Sequence, residues 1–223
     1  MKFITIGGAP GAGKTYTSKL LAKEYDFLSL EFESLRWDFF NDNIDKNLYE
    51  YTQYVFPLEN ENMRDYYLRC TLFDNKIPLE LFIKWHKATM KFIQRKLCQI
   101  VYELKEVKTK EEYLNFCDKY KRLINYMPKF EKLNMEYIIC SHAFINTIDF
   151  PRNQRIQIDF VMDKGILIGR FKQRENITES SFDKNIELYY QSYEEVLKDS
   201  VASKLDSNNK DIIEKIYNLI QNN

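Results

Sequence analysis

The chain is expected to fold as an α/β protein, a parallel five-stranded sheet flanked by helices. Three observations carry that expectation. Short apolar runs rich in β-branched residues alternate with longer segments of helical periodicity, the order of elements that produces parallel sheets. A glycine-rich turn, Gly7-Gly8-Ala9-Pro10-Gly11-Ala12-Gly13-Lys14-Thr15, follows the first such run and opens a helical segment. The length of 223 residues suits a single α/β domain, 1–223, carrying a sizeable insertion.

Taken in order, Lys2-Phe3-Ile4-Thr5-Ile6 reads as a buried strand. Thr15 to Tyr25 follows as a helix, with Leu20, Leu21 and Ala22 at helical spacing. Asp26 to Phe32 is the second strand, with Phe27, Leu28, Leu30 and Phe32 apolar. Residues 41–132 carry no convincing strand. Within them Leu79 to Leu104 has Phe82, Ile83, Met90, Phe92, Ile93, Leu97, Ile100 and Val101 on a helical period, and Pro78 stands just before it. Thr109-Lys110-Glu111-Glu112 is a capping box that starts another helix. Residues 41–132 are therefore expected to be a helical insertion between the second and third strands, serving as extra core or as a lobe over the ligand cleft. Glu136 to Ser141 and Arg155 to Met162 are the third and fourth strands, and Val201 to Leu205 is a weaker fifth. Helices are expected over Phe182 to Leu197 and Ile212 to Ile220. The first strand should be central, with ligands beyond the carboxyl ends of the strands.

The glycine-rich turn holds Gly8-x-x-x-x-Gly13-Lys14-Thr15, the pattern of a phosphate-binding loop, and four of the six glycines of the chain. Polyphosphate must lie against bare backbone N–H groups, and residues without a Cβ let the chain curl that closely. Gly8, Ala9, Pro10, Gly11, Ala12, Gly13, Lys14, Thr15 and Tyr16 are the expected nucleotide-binding residues. Lys14 supplies a point charge for the β- and γ-phosphates, and the Thr15 hydroxyl is the expected Mg²⁺ ligand. The helix that starts here aims its positive end at the anion.

Lys+Arg and Asp+Glu both number 33, so no global field draws the protein onto nucleic acid or a membrane. A nucleic-acid partner is not favoured, although Lys84, Lys87, Lys91, Arg95 and Lys96 on one long helix are conceivable contributors to a basic groove. No apolar run of about 18 residues is present to span a membrane. The chain enters its first strand without a secretory signal pattern, and Cys70, Cys98, Cys117 and Cys140 are far apart, so reduced thiols and a cytoplasmic location are expected. His86 and His142 are the only histidines, too few and too separated for a metal cluster. His142 follows the third strand, near where an acceptor would sit, but a lone histidine is more often structural.

On its phosphate loop and three further segments, the chain resembles the small P-loop kinases: the polynucleotide-kinase and zeta-toxin groups, with the nucleoside and nucleotide kinases. The resemblance covers residues 1–40 and roughly 136–220 and leaves out the insertion. It implies the P-loop NTPase kinase fold, ATP and Mg²⁺ as cofactors, and transfer of the γ-phosphoryl group to a hydroxyl acceptor on a small molecule, nucleoside or nucleic acid.

The first further segment is Glu33-Ser34-Leu35-Arg36, where the resemblance makes Glu33 the base for the acceptor hydroxyl and Arg36 the acceptor clamp. The chemistry is sound, since a carboxylate beyond a strand end can take a hydroxyl proton and an arginine can fork onto an anionic acceptor. Glu31 and Asp38 are competing acids. The second is Arg170-Phe171-Lys172-Gln173-Arg174, whose arginines, four apart on one helix face, are implied to neutralise the transferring phosphoryl group from a mobile lid with its tip at Glu175 to Ser181. The third is Asp206-Ser207-Asn208-Asn209, implied to lie beside the adenine base and equally a helix cap.

One departure stands out. Many of these kinases carry an acid at the end of the third strand, whereas this chain has Cys140-Ser141-His142; Ser141, Glu33 or Asp38 are the candidates to serve instead. Two alternatives remain: a nucleoside monophosphate kinase, and a nucleotide-binding regulatory module without phosphotransfer. Neither Asn75-Lys76 nor Asn209-Lys210-Asp211 completes the guanine-specifying Asn-Lys-x-Asp of switch GTPases.

Overall fold

The computed structural model describes residues 1–33, 35, 79–147, 155–178, 183–198 and 200–222. Along these the chain runs β1 (Lys2–Gly8), α1 (Lys14–Tyr25), β2 (Leu28–Glu31), α2 (Leu79–Glu106), α3 (Lys110–Lys119), β3 (Ile124–Tyr126), β4 (Tyr137–Ser141), β5 (Arg155–Val161), α4 (Lys164–Glu175), α5 (Asp183–Leu197), β6 (Ser203–Asp206) and α6 (Ile212–Gln221). Single 3₁₀ turns at Phe130–Lys132 and Ile145–Thr147 flank β4.

One sheet gathers the strands in the order β3-β2-β4-β1-β5-β6. β1 lies between β4 and β5, parallel to both, with Ile4 opposite Ile139 on one side and Ile156 on the other. Burial from Phe3 to Gly8 explains why this strand reads as a continuous apolar run rather than an alternating one. β2 adds in parallel to β4, and β6 to β5.

Two expectations need correction. Among the described residues the sheet has six strands, not five: β3 pairs antiparallel with β2, Leu30 facing Ile124 and Ser29 facing Tyr126 with an irregularity between them. It falls inside residues 41–132, so that interval is not wholly helical. The last strand also lies further along than Val201–Leu205: Val201 is exposed, and pairing runs from Ile158–Ser203 to Val161–Asp206. Such an edge strand is held by one neighbour, and its residues are mostly exposed, so it carries no apolar signature.

Helix α1 buries Leu21 and Ala22 on the sheet, while Leu20 turns outward at 38% exposure. Its chain reversal uses Asp26 in the left-handed region (φ 55°), whose N–H bonds the Ala22 carbonyl. The Tyr25 ring then stacks on Tyr217 of α6, 4.8 Å between centroids. Helix α2 buries Ile93, Leu97, Ile100 and Leu104 along one face. The capping box of α3 forms as expected: the Glu112 amide donates to Thr109 Oγ1 (3.2 Å), and the Thr109 amide to Glu112 Oε2 (2.9 Å). Among the described residues no helix is long and apolar enough to cross a membrane.

A polar network lies inside the apolar sheet. Thr5 Oγ1 donates to Asn146 Oδ1 (2.6 Å), and Asn146 Nδ2 donates to Asp159 Oδ1 (2.6 Å) and to the Ile158 carbonyl (2.7 Å). Burial pushes the Asp159 carboxyl above the usual range, against hydrogen bonds from Ser200 and Asn146. Gly7 is the register partner of Asp159, and a Cβ on it would stand 2.3 Å from Asp159 Oδ1 and 2.9 Å from Asn146 Nδ2. Gly7→Ala is therefore expected to destabilise the protein by about 2 kcal/mol or more. A urea midpoint equal to that of the unaltered protein would contradict this account of the network.

Candidate active site

The carboxyl ends of β1, β2 and β4 converge with the start of α1. Gly8 ends β1 at φ 125°; its amide donates to the Ala143 carbonyl (3.0 Å), and a Cβ would stand 2.5 Å from the Phe160 carbonyl oxygen. Gly13, at φ 84°, is the N-cap of α1, and a Cβ there would meet nothing within 4 Å. The chain between them curls into a loop closed by the Ala12 amide on the Ala9 carbonyl (3.2 Å).

Two distant helices grip this loop from behind. The Tyr190 hydroxyl of α5, buried, reaches the carbonyls of Pro10 (3.0 Å) and of Leu167 in α4 (3.2 Å). Arg170 of α4 donates through one nitrogen to the Gly11 carbonyl (3.0 Å) and through another to Asn208 Oδ1 (3.1 Å). Arg170 thus joins the phosphate loop to the loop after β6. One helical turn further on, the Arg174 guanidinium lies over the Phe171 ring, 5.4 Å from its centroid. Tyr190 escaped the sequence reading, because nothing in its own helix points to a loop 180 positions away.

Lys14 is 7% exposed, and its ammonium donates to the Ala9 carbonyl (3.1 Å). Thr15 and Tyr16 are exposed at the start of α1. The Glu31 carboxyl at the end of β2 lies where the Thr15 hydroxyl and the Lys14 charge both pull its pKa down. Burial, with the Glu33 charge beside it, pushes the Glu31 carboxyl above its ordinary range, against the opposing pull of Lys14 and Thr15. Glu31, a competing acid at the sequence level, therefore stands directly beside the proposed Mg²⁺ ligand.

Glu33 turns toward β4. The Ala143 amide donates to its Oε1 (3.0 Å), and its Oε2 lies 3.5 Å from His142 Nε2. The Glu33 carboxylate therefore occupies the space beyond β4, the strand that ends without an acid of its own. Ser141 does not take that place: it is fully buried, and its hydroxyl turns back onto the Leu30 carbonyl (3.4 Å). Arg36 and Asp38 lie outside the described residues, as does part of the expected lid tip, residues 179–181. The side chains of Lys84 and His86 lie outside them as well, while Lys87, Lys91 and Arg95 are exposed on α2.

The donor set fits a nucleoside triphosphate with Mg²⁺. A buried lysine, a hydroxyl and the N-terminus of α1 face one glycine-built cradle whose side at Gly13 is open. Among the described residues no group of three or more His, Cys, Asp or Glu side chains is placed to hold a metal ion.

No protein-family profile and no curated protein matches this chain. Solved structures do. TT1252 from Thermus thermophilus is 11% identical and superposes with a TM-score of 0.53, covering 99% of this chain and 96% of its own. Shikimate kinase from Bacteroides thetaiotaomicron is 11% identical, with a TM-score of 0.43 and coverage of 99% and 96%. Deoxyadenosine kinase from M. mycoides is 14% identical, with a TM-score of 0.45 and coverage of 99% and 100%. At these identities the likeness is one of fold. With the sheet order above, the chain has an α/β architecture, a mostly parallel sheet flanked by helices, and shares its fold with TT1252.

Proposed function

We propose that the protein is an ATP-dependent kinase that transfers the γ-phosphoryl group to a hydroxyl acceptor, with Mg²⁺ as cofactor. One observation carries the reading: the Glu33 carboxylate is 30% exposed, held by the Ala143 amide, at the same edge of the sheet as Lys14 and Thr15. A phosphate acceptor is already ionised and needs no base, whereas a hydroxyl does. That favours a hydroxyl kinase over a nucleoside monophosphate kinase.

Lys14 and the loop amides would hold the phosphates, and Thr15 would ligate Mg²⁺, which supplies charge stabilisation on the phosphate oxygens when bound. The acceptor oxygen forms the new P–O bond while the bond to the β-phosphate oxygen breaks, ADP being the leaving group. The hydroxyl proton passes to Glu33. Arg36 is the proposed acceptor clamp. Arg170 and Arg174 are the proposed lid charges, and the Asp206–Asn209 loop the proposed wall beside the base. The 41–132 insertion is the proposed acceptor lobe, and the cytoplasm the proposed location.

The test is labelled phosphate transfer from ATP to nucleosides, nucleotides, oligonucleotides and small polyols. Transfer to a hydroxyl compound supports the reading, and transfer only to nucleoside monophosphates replaces it with the alternative. A protein that binds ATP and transfers to none of them is a regulatory module. The two arginines should separate in the same assay. Arg174→Ala is expected to lower turnover about 10²-fold with ATP affinity nearly kept, because lid charges act in the transition state. Arg170→Ala should weaken ATP binding as well, since it removes the existing bonds to Gly11 and Asn208. Identical effects of the two variants would argue against this division.

A further inference from the structure

A buried polar group stands behind Glu33. His142 is fully buried directly after β4, in the stretch where the chain lacks a carboxylate. Its ring is fixed from one side by the backbone: the Phe144 amide donates to Nδ1 at 3.1 Å. A nitrogen that accepts a hydrogen bond carries no proton, so the neutral imidazole has its proton on Nε2. That nitrogen is the one facing Glu33 Oε2, at 3.5 Å, while the Ala143 amide holds Oε1 at 3.0 Å.

We propose that His142 is a positioning residue for Glu33, a neutral, backbone-fixed donor that, with the Ala143 amide, aims the carboxylate at the acceptor hydroxyl. This rests on the reading of Glu33 as base. The physical case has three parts. First, a glutamate side chain has three rotatable torsions; the Ala143 amide holds one oxygen, and the Nε2–H facing the other at 3.5 Å restricts where it can turn. Second, the donor carries no charge. An arginine or lysine at the same place would pair with the carboxylate and lower its ability to take a proton, whereas a neutral N–H orients it and leaves its charge in place. Third, Nε2 and Oε2 stand 3.5 Å apart, within the range from which catalytic hydrogen bonds tighten in a Michaelis complex. The residue types agree with the arrangement. Three consecutive residues, His142, Ala143 and Phe144, contribute ring, amide and amide to one goal, and the wholly buried Ala143 and Phe144 keep this segment in place.

Two measurements test the proposal. The first needs no acceptor. The chain has two histidines, so ¹⁵N-histidine labelling gives two imidazoles, and His142→Gln identifies one of them by its loss. The His142 ring should be the Nε2–H neutral tautomer, and its Nε2 resonance should move when Glu33 is changed to Gln. A proton on Nδ1, or an Nε2 signal indifferent to Glu33→Gln, overturns the proposal.

The second is a double-mutant cycle in single-turnover transfer from ATP to a mixture of nucleosides and small polyols. His142→Leu is expected to slow transfer about 10- to 100-fold with ATP affinity unchanged, and His142→Gln, which keeps a donor near Nε2, to recover most of it. In the Glu33→Gln protein, His142→Leu should cost nothing more. Additive losses in the double variant would mark a purely structural role and overturn the proposal alone. A Glu33→Gln protein at the unaltered rate would remove Glu33 as base and the proposal with it. If His142→Leu does not fold, His142→Gln decides: near-normal transfer is expected, and a loss as deep as that of Glu33→Gln overturns it.

Discussion

Replacing Lys14 with alanine is expected to lower ATP turnover by about 10²–10³-fold while the fold survives. The ammonium is the cation set into the loop, and its charge follows the phosphoryl group as the bond to ADP breaks. The fold should survive because the Ala9 carbonyl, which accepts from Lys14 at 3.1 Å, also accepts from the Ala12 amide at 3.2 Å, so no buried oxygen is orphaned. A second effect should follow at Glu31, whose carboxyl is held down in part by the Lys14 charge. Without it Glu31 titrates higher still. Steady-state hydrolysis and transfer, alongside thermal unfolding, measure the outcome. Turnover near that of the unaltered protein would defeat the whole kinase reading.

Glu33→Gln separates a hydroxyl kinase from every alternative. Glutamine keeps the shape, and its oxygen can still accept from the Ala143 amide, but it cannot take a proton. Transfer to a hydroxyl acceptor should fall by roughly 10²–10⁴-fold, with ATP affinity preserved. A nucleoside monophosphate kinase would lose far less. A regulatory module would show no acceptor-dependent transfer in either form. Single-turnover transfer compared with nucleotide affinity reads the result. A near-normal rate would move the role to Glu31 or Asp38, or to a phosphate acceptor.

What was legible in the sequence was what is local. The phosphate loop is nine consecutive residues, Gly7 to Thr15, with a strand before and a helix after, and each part needs only its neighbours in the chain. β1 and β4 were legible because strands covered on both faces read as nearly continuous apolar runs, and β5 because Ile156, Ile158 and Phe160 alternate with polar residues. β3 was not: Ile124-Asn125-Tyr126 is three partly buried residues that become a strand only because β2 presents an edge. The site divides the same way. Lys14, Thr15 and Glu33 follow from position along the chain. The contact between Glu33 and Ala143 spans 110 positions and the Asp159–Gly7 pairing depends on the register of β1 with β5, so neither has a signature in any local window. The absent strand-end acid was a correct reading of one segment, but the carboxylate beyond that strand comes from another. Arg36 lies outside the described residues, and its expected role stands as a proposal.

The grip of Arg170 and Tyr190 on the phosphate loop has a consequence for how the protein comes into being on the ribosome. The partners of the loop emerge 159 and 180 positions after it, and Asn208 later still. β1 itself finds its two neighbours only after β4 and β5 have emerged. A nascent chain therefore carries the full glycine-rich motif well before it has a finished place to put a nucleotide. Chains released before α5 and the loop after β6, even those that include the whole motif, should fail to retain ATP, and the ability to hold it should appear abruptly once Asn208 has emerged.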